Sequence, residues 1–333
     1  MARRRKLFAS SAMALALAQV IALGACGGGG GGSSPPIGSV PTPTPTPAPT
    51  PPPPPSAASR IALTQLADFP TLGWIHRYEL NGNANDADLR VTLPLDPAER
   101  VAFGFNATDQ RHEIGIPGLE PSRLLSTTFD FDDMFSISTL DPASGTSLVL
   151  LSPGSNNNLI PLNHTSFGYW GPNGPVPPGQ SVRNAGVFAY GVPTAAGDVP
   201  IVAARRYHGA GQGLRTAGAD LRLGQEGGRL WADAALLDFD FQAGSLSGTL
   251  VLYNGERSAQ IAQYSFLENV HAAGGTTFSG TLSNPEVTGT GFYEGRFTGP
   301  EVREFMMRWQ VPFRDPATGQ VETVYGVLVA LRY

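Results

Sequence analysis

Short runs in which apolar and polar residues alternate recur along the chain from about Arg60 to its end. They are separated by Gly, Pro, Asn and Asp, which commonly break strands and form turns. An alternation with a period of two places successive side chains on opposite faces of a strand. Long segments with a helical period are missing, so the pattern predicts an all-β fold. Six such runs are Trp74–Leu80, Leu89–Leu95, Val101–Phe105, Leu124–Phe131, Ser147–Leu151 and Phe167–Trp170.

The pattern from about Ile201 onwards is typical of a closed sheet. Phe239 and Phe241 alternate with Asp238 and Asp240, and the run from Leu246 to Tyr253 alternates in the same way. Closing a sheet removes its exposed edges, and about eight strands enclose an interior that side chains fill or that holds one small ligand. The run Val324–Tyr333 ends the chain, and we expect it to be the closing strand of the barrel.

The stretch from Gly289 to Trp309 predicts a strand, a sharp corner and a short helix. Its glycines alternate with aromatic residues, and Gly299-Pro300 ends the strand because Pro donates no backbone hydrogen bond. Pro suits the first turn of a helix, and the apolar residues that follow have helical spacing. They are Val302, Phe305, Met306 and Trp309. We interpret this stretch as a packing corner of the barrel, with a ligand-binding or catalytic corner as the alternative.

The N-terminus has the features of a secretory signal. A basic segment, residues 3–6, precedes an apolar run that ends in small residues before Cys26, the only cysteine. This arrangement is typical of a bacterial lipoprotein, in which residues 1–25 are removed and Cys26 is acylated. Residues 26–59 are then a tether of Gly/Ser followed by Pro/Thr. Its stretch Pro41–Pro55, in the polyproline conformation, would span roughly 45 Å.

Composition excludes several kinds of chemistry. The chain has 22 basic and 27 acidic residues, and removing the four basic residues of the signal leaves a net charge of −9. Lys6 is the only lysine, so the processed chain has none for Schiff-base chemistry. Without a polybasic face, nucleic acid is not an expected partner. No histidines or cysteines have metal-ligand spacing, so we expect no metal site built from near neighbours. Gly244–Gly248 is not a nucleophile elbow, and Asp238 and Asp240 are typical of a solvated strand face, so we also expect no cofactor and no enzymatic activity.

Several motifs together resemble the transferrin-binding protein B-like surface lipoproteins. Asp238–Leu250 is similar to that family's D-F-x-x-G-T-L-S-G-T-L segment, and Thr277–Leu282 to the F-S-G strand that follows it. Ala203–Gly213 is similar to its A-x-Y-x-G-x-x-x-G opening strand, with Arg in place of the usual Thr before Tyr207. The Gly289–Trp309 stretch is similar to its final barrel corner, and we take these residues as the corner motif: Phe292, Tyr293, Gly295, Phe297, Gly299, Pro300, Glu304 and Trp309.

The resemblance implies a small handle sheet over residues 60–200, followed by the barrel over 201–333. It also implies an outer-membrane lipoprotein, anchored through Cys26 and exposed on the cell surface, that binds an extracellular iron-carrier or haem-type ligand. In that family cargo passes to an outer-membrane transporter, a further expected partner. The alternative is a lipocalin-like protein that holds a small molecule inside the barrel. A third possibility is that the apolar face of Tyr325–Tyr333 is the last strand of a membrane-spanning barrel.

Overall fold

The computed structural model describes residues 63, 68–80, 87–94, 101–116, 119–125, 135–141, 145–154, 157–172, 182–216 and 229–333. All of these belong to one compact unit, Pro51–Tyr333. The predicted signal, Cys26 and the predicted tether lie outside the described residues. Within the described part of the chain, no helix has the length and apolar character needed to cross a membrane. The all-β prediction is confirmed, because strands make up nearly all the regular structure.

The first half of the described chain forms two antiparallel sheets. The larger, which we call the handle sheet, has six strands in the order β2-β1-β9-β8-β7-β6. Its strands are β1 (Thr71–Leu80), β2 (Ala87–Pro94), β6 (Phe135–Asp141), β7 (Thr146–Leu151), β8 (Thr165–Pro172) and β9 (Val182–Gly191). The smaller has the order β3-β4-β5, with β3 (Ala102–Asn106), β4 (Arg111–Ile116) and β5 (Leu119–Leu124). Aromatic side chains fill the space between the two sheets, and the rings of Phe103 and Tyr190 have centroids 4.0 Å apart.

The second half is a closed barrel of eight antiparallel strands, as predicted. The strands follow chain order: β10 (Ala204–Arg215), β11 (Arg229–Asp240), β12 (Ser245–Tyr253), β13 (Gln260–Val270), β14 (Thr277–Ser283), β15 (Gly291–Thr298), β16 (Glu304–Arg314) and β17 (Val321–Arg332). Strand β17 pairs with both β16 and β10, so the end of the chain closes the barrel. The expected alternation holds along β12, where Leu246, Leu250 and Leu252 are buried.

The handle sheet covers one side of the barrel. Val327, Val329 and Leu331 of β17 point outward and belong to a buried cluster that includes Trp74 and Val187 of the handle sheet. The apolar outer face of the last strand is therefore covered by protein. The molecule has three layers on this side: the small sheet, the handle sheet and the barrel wall.

The predicted amphipathic helix from Val302 to Trp309 is wrong. The corner contains only a 3₁₀ turn, Pro300–Val302, and the chain then enters strand β16 at Glu304. Along β16, Phe305 and Trp309 point into the barrel while Met306 points out under the handle sheet. Because both faces of this strand are buried, apolar residues occur consecutively and hide the alternation that marks a strand.

Candidate functional site

The corner motif lies where β15 turns into β16. Gly299 has φ 69°, a left-handed conformation, and the ring of His164 lies so close that a Cβ at Gly299 would be 2.7 Å from its Cδ2. Glu301 and Val302 are also left-handed, with φ 53° and 52°. Such conformations cost of order 1–3 kcal/mol each and persist only where surrounding contacts impose them. Here the Val302 side chain is buried, and its carbonyl accepts a hydrogen bond of 2.7 Å from the Tyr207 hydroxyl.

This corner joins the barrel to loops of the first half, a contact that we call the corner joint. The amide of Gly299 donates to the carbonyl of Val192 at 2.9 Å. The Thr194 hydroxyl donates to the carbonyl of Gly299 at 2.6 Å. The hydroxyls of Thr165 and Thr298 also contact each other. These buried hydrogen bonds fix the orientation of the handle sheet relative to this end of the barrel.

Glu304 is the acidic centre of the corner joint. One carboxylate oxygen accepts from the backbone N–H of Asn163 at 2.8 Å, and the other from the N–H of His164 at 3.0 Å. The side chain is fully buried, and burial raises its pKa to about 7, because the two amide hydrogen bonds and nearby Arg303 only partly offset the loss of hydration. Glu304 therefore links the barrel to the loop that precedes β8, which contains Asn163 and His164, and its carboxyl group titrates near neutral pH.

The other motif residues lie along the barrel wall. Tyr293, Phe297 and Trp309 point into the interior, whereas Phe292 is only partly buried. Gly295 leaves room for the ring of Phe278, since a Cβ there would be 2.3 Å from its Cζ. Pro300 begins the 3₁₀ turn. The structure thus brings Phe297, Gly299, Pro300 and Glu304 together at the corner joint and places Tyr293 and Trp309 deeper in the core.

Side chains fill the barrel interior. Phe297 has the rings of Phe239 and Phe278 at centroid separations of 5.0 Å each, and Phe278 packs edge-on against Phe305 at 5.3 Å. Further along the axis the interior is occupied by buried Tyr264, Tyr293, Met307 and Trp309. Close packing of this kind is that of a protein core rather than of a ligand cavity.

Residues that sequence reasoning missed form a seam between β1 and the barrel. Trp74 donates from Nε1 to the carbonyl of Gly326 at 3.1 Å, and the Arg308 guanidinium lies 5.2 Å from its ring centroid. His76 is buried next to the ring of Tyr325, and burial lowers its pKa to about 3. The only signal in the sequence was the charged Arg308 inside the apolar run Phe305–Trp309, because a buried charge requires a partner. That partner is Glu294, whose Oε1 is 2.5 Å from Nη2.

A cleft of about 470 Å³ lies beside this seam. Leu72 of β1 forms one side, and the outer faces of β14 and β15 form the floor, together with the turn before β14. Its charged lining residues are Glu294 and Arg296. A second groove, of about 500 Å³, lies on β13 around Gln263 and Asn284. Among the described residues, no group of three or more His, Cys, Asp or Glu could hold a metal ion.

Structure comparison finds transferrin-binding protein B. The chain matches a crystal structure of that protein from Haemophilus parasuis with a TM-score of 0.43 and 15% identity, covering 78% of this chain and 45% of that one. The protein from Neisseria meningitidis matches with a TM-score of 0.42 and 16% identity, over 79% of this chain and 43% of that one. The chain therefore spans less than half the length of these proteins.

A structure described as a surface lipoprotein is matched over its whole length, with 79% of this chain covered, a TM-score of 0.38 and 13% identity. No protein-family model and no curated protein sequence matches the chain.

Proposed function

We propose that the protein is an outer-membrane lipoprotein, anchored through acylated Cys26 and exposed on the cell surface. The proposal rests on the basic and apolar residues 1–25, on the position of Cys26, and on the Gly- and Pro-rich residues 26–59. Pro-rich sequence is stiff and extended, whereas Gly/Ser-rich sequence is flexible, so the Pro-rich part would hold a folded body away from the membrane to which Cys26 is attached.

The anchor is tested by replacing Cys26 with Ser and separating membranes from the soluble fraction. We expect the wild-type protein to incorporate labelled palmitate and to sediment with membranes, and the variant to do neither. A variant that stays in the membrane fraction without label would contradict the role of Cys26. Protease treatment of intact cells then tests display on the surface.

We further propose that the folded body binds an extracellular protein on its outer surface rather than converting a substrate. The observation that supports this most is the barrel interior, which is filled by aromatic and aliphatic side chains. Because side chains fill the interior, a partner would be recognised on the outside of the barrel. The same packing disfavours the lipocalin-like alternative, in which a small molecule occupies the interior.

One end of the barrel has the apolar surface that such binding needs. Ile201 and Val202, just before β10, are 60% and 68% exposed, and Val270 at the end of β13 is 69% exposed. Ile201 lies close to the turn between β13 and β14, because a Cβ at Gly274 would be 3.8 Å from its Cγ2. Exposed apolar groups that cluster at one end are typical of an interaction surface.

The partner that we propose is an iron- or haem-carrying host protein, with an outer-membrane transporter receiving the cargo. This choice rests on the resemblance of the corner and barrel motifs to the transferrin-binding protein B-like lipoproteins. Direct binding of the full chain to iron-loaded transferrin, to haemoglobin and to free haem tests it. Binding of free haem alone, without either protein, would favour the small-molecule alternative.

A matched pair of variants tests the surface. Ile201→Asp combined with Val202→Asp adds charge at the proposed end, whereas Val321→Asp changes an apolar residue, 50% exposed, at the opposite end. We expect the double variant to weaken binding of the carrier by tenfold or more, and Val321→Asp to leave the Kd unchanged. Equal effects of the two would contradict the assignment of this end.

A further inference from the structure

The cleft beside the seam contains an arginine, Arg296, whose guanidinium has no partner in the part of the chain that the structure describes. The Arg296 side chain is partly buried and lines the cleft, and it forms no hydrogen bond or ion pair with the side chain or backbone of another described residue. The other charge that lines the cleft, Glu294, is already neutralised by Arg308. The cleft therefore has a net positive charge, although the chain as a whole is acidic.

Hydroxyl groups lie next to this guanidinium. Thr277 is the direct cross-strand neighbour of Arg296, and Ser279 that of Glu294, so all four side chains project from the outer face of β14 and β15. A guanidinium forms paired hydrogen bonds with planar anions, and hydroxyls donate to the same oxygens. This half of the cleft matches a carboxylate.

The remaining walls are apolar. Leu72 projects from the handle sheet, and Val270 and Ala272 come from the end of β13 and the turn that follows. The volume of about 470 Å³ is within the range of small-molecule sites, roughly 300–1,000 Å³. Apolar walls with one charged group at one side favour a ligand that is amphipathic.

We propose that this cleft, between Leu72 and strands β13–β15, binds a small organic carboxylate that carries a short apolar group. The carboxylate pairs with Arg296 beside Thr277, and the apolar group lies against Leu72 and Val270. The site is formed by the handle sheet and the barrel together. It is separate from the barrel interior, and at Val270 it borders the exposed apolar end of the barrel.

A set of matched probes tests the proposal on the full chain by saturation-transfer NMR titration. Hexanoate, hexanol and hexylammonium share the same apolar group and differ only in charge. We expect hexanoate to bind with a Kd in the millimolar range and both others to bind at least tenfold more weakly. Butyrate should bind about tenfold more weakly than hexanoate, since each buried methylene contributes a factor of about three to four. Hexanol binding as tightly as hexanoate would overturn the proposal.

Variants locate the binding. Arg296→Gln should weaken hexanoate binding by about tenfold or more, the usual effect of losing a charged hydrogen bond. Arg303→Gln changes an exposed arginine outside the cleft and should leave the Kd unchanged. Equal Kd values for wild type and Arg296→Gln would also overturn the proposal. If Arg296→Gln fails to fold, the comparison of the three probes on the wild-type protein decides.

One further probe identifies the source of the carboxylate. Acetyl-alanyl-leucine ends in a peptide carboxylate, and its amide lacks that charge. If acetyl-alanyl-leucine binds more tightly than hexanoate, the natural ligand is a peptide C-terminus. If hexanoate binds more tightly, the natural ligand is a free small acid. Both results support carboxylate recognition, whereas equal binding of the peptide acid and its amide contradicts it.

Discussion

Replacing Glu304 with Gln tests the corner joint through its pH dependence. The pKa of Glu304 is raised by burial from 4.5 to about 7, so the folded protein holds this proton more tightly than the unfolded chain does. Its contribution to stability is therefore complete below about pH 4.5 and is lost as the pH rises to about 7. At about 1.4 kcal/mol per pH unit, the loss amounts to about 3 kcal/mol.

Gln is a neutral isostere that cannot titrate, so Glu304→Gln removes this pH dependence. Its single acceptor leaves one of the amides of Asn163 and His164 without a partner, at a cost of about 1–3 kcal/mol that does not vary with pH. The readout is therefore the slope with pH and not the stability at one pH. We expect the difference in unfolding free energy, wild type minus variant, to fall by about 3 kcal/mol between pH 4.5 and pH 7.5.

Urea unfolding of the full chain at four pH values between 4.5 and 7.5 measures this difference. His76 acts in the opposite direction: its pKa is lowered to about 3, so its contribution is present above pH 6.5 and is lost as the pH falls. Because both proteins contain His76, its effect cancels in the difference. A difference that stays constant within about 0.5 kcal/mol, or that rises with pH, would refute the reasoning. A rise would mean that the amide hydrogen bonds outweigh burial and keep Glu304 ionised.

Three further predictions concern the barrel. Trp309→Ala should lower the unfolding free energy by about 3–5 kcal/mol, measured in urea, and a loss below about 1 kcal/mol would contradict the role of this ring in the core. Gly213→Ala should cost about 1–3 kcal/mol, since the new Cβ would be 2.7 Å from Cη2 of Trp309. In a Trp309→Phe background, Gly213→Ala should cost less, because the smaller ring leaves room for the new Cβ. Gly326→Ala should stay costly in that background, because its Cβ would also be 2.5 Å from the backbone carbonyl oxygen of Gln212. If the Phe background lowered both costs equally, the Trp309 ring alone would limit both sites. A chain that ends at residue 320 should lose cooperative unfolding in circular dichroism melts, because removing β17 opens the barrel. Residues 60–333 should retain it, and similar cooperative melts of both truncations would contradict the closing role of β17.

The sequence alone was sufficient to predict the all-β fold class and the closed barrel in the second half of the chain. Strands β11 and β12 have one face in the core and one in water, so their alternation is visible, and eight antiparallel strands were expected and found. These features depend on neighbours along the chain or on one adjacent strand, and such local patterns are preserved in the sequence.

Only the tertiary structure decided the nature of β16 and of the sites around it. Glu304–Arg314 forms a strand with both faces buried, because the handle sheet covers its outer face. No pattern in the sequence shows that this outer face is buried as well. Glu304 meets the amide of His164, which lies 140 residues earlier, and Leu72 meets the outer face of β15. The partners of these residues, and hence the pKa of Glu304 and the charge of the cleft, follow from how the handle sheet packs on the barrel. Contacts of that kind depend on the relative position of distant elements, which hydrophobic periodicity does not encode.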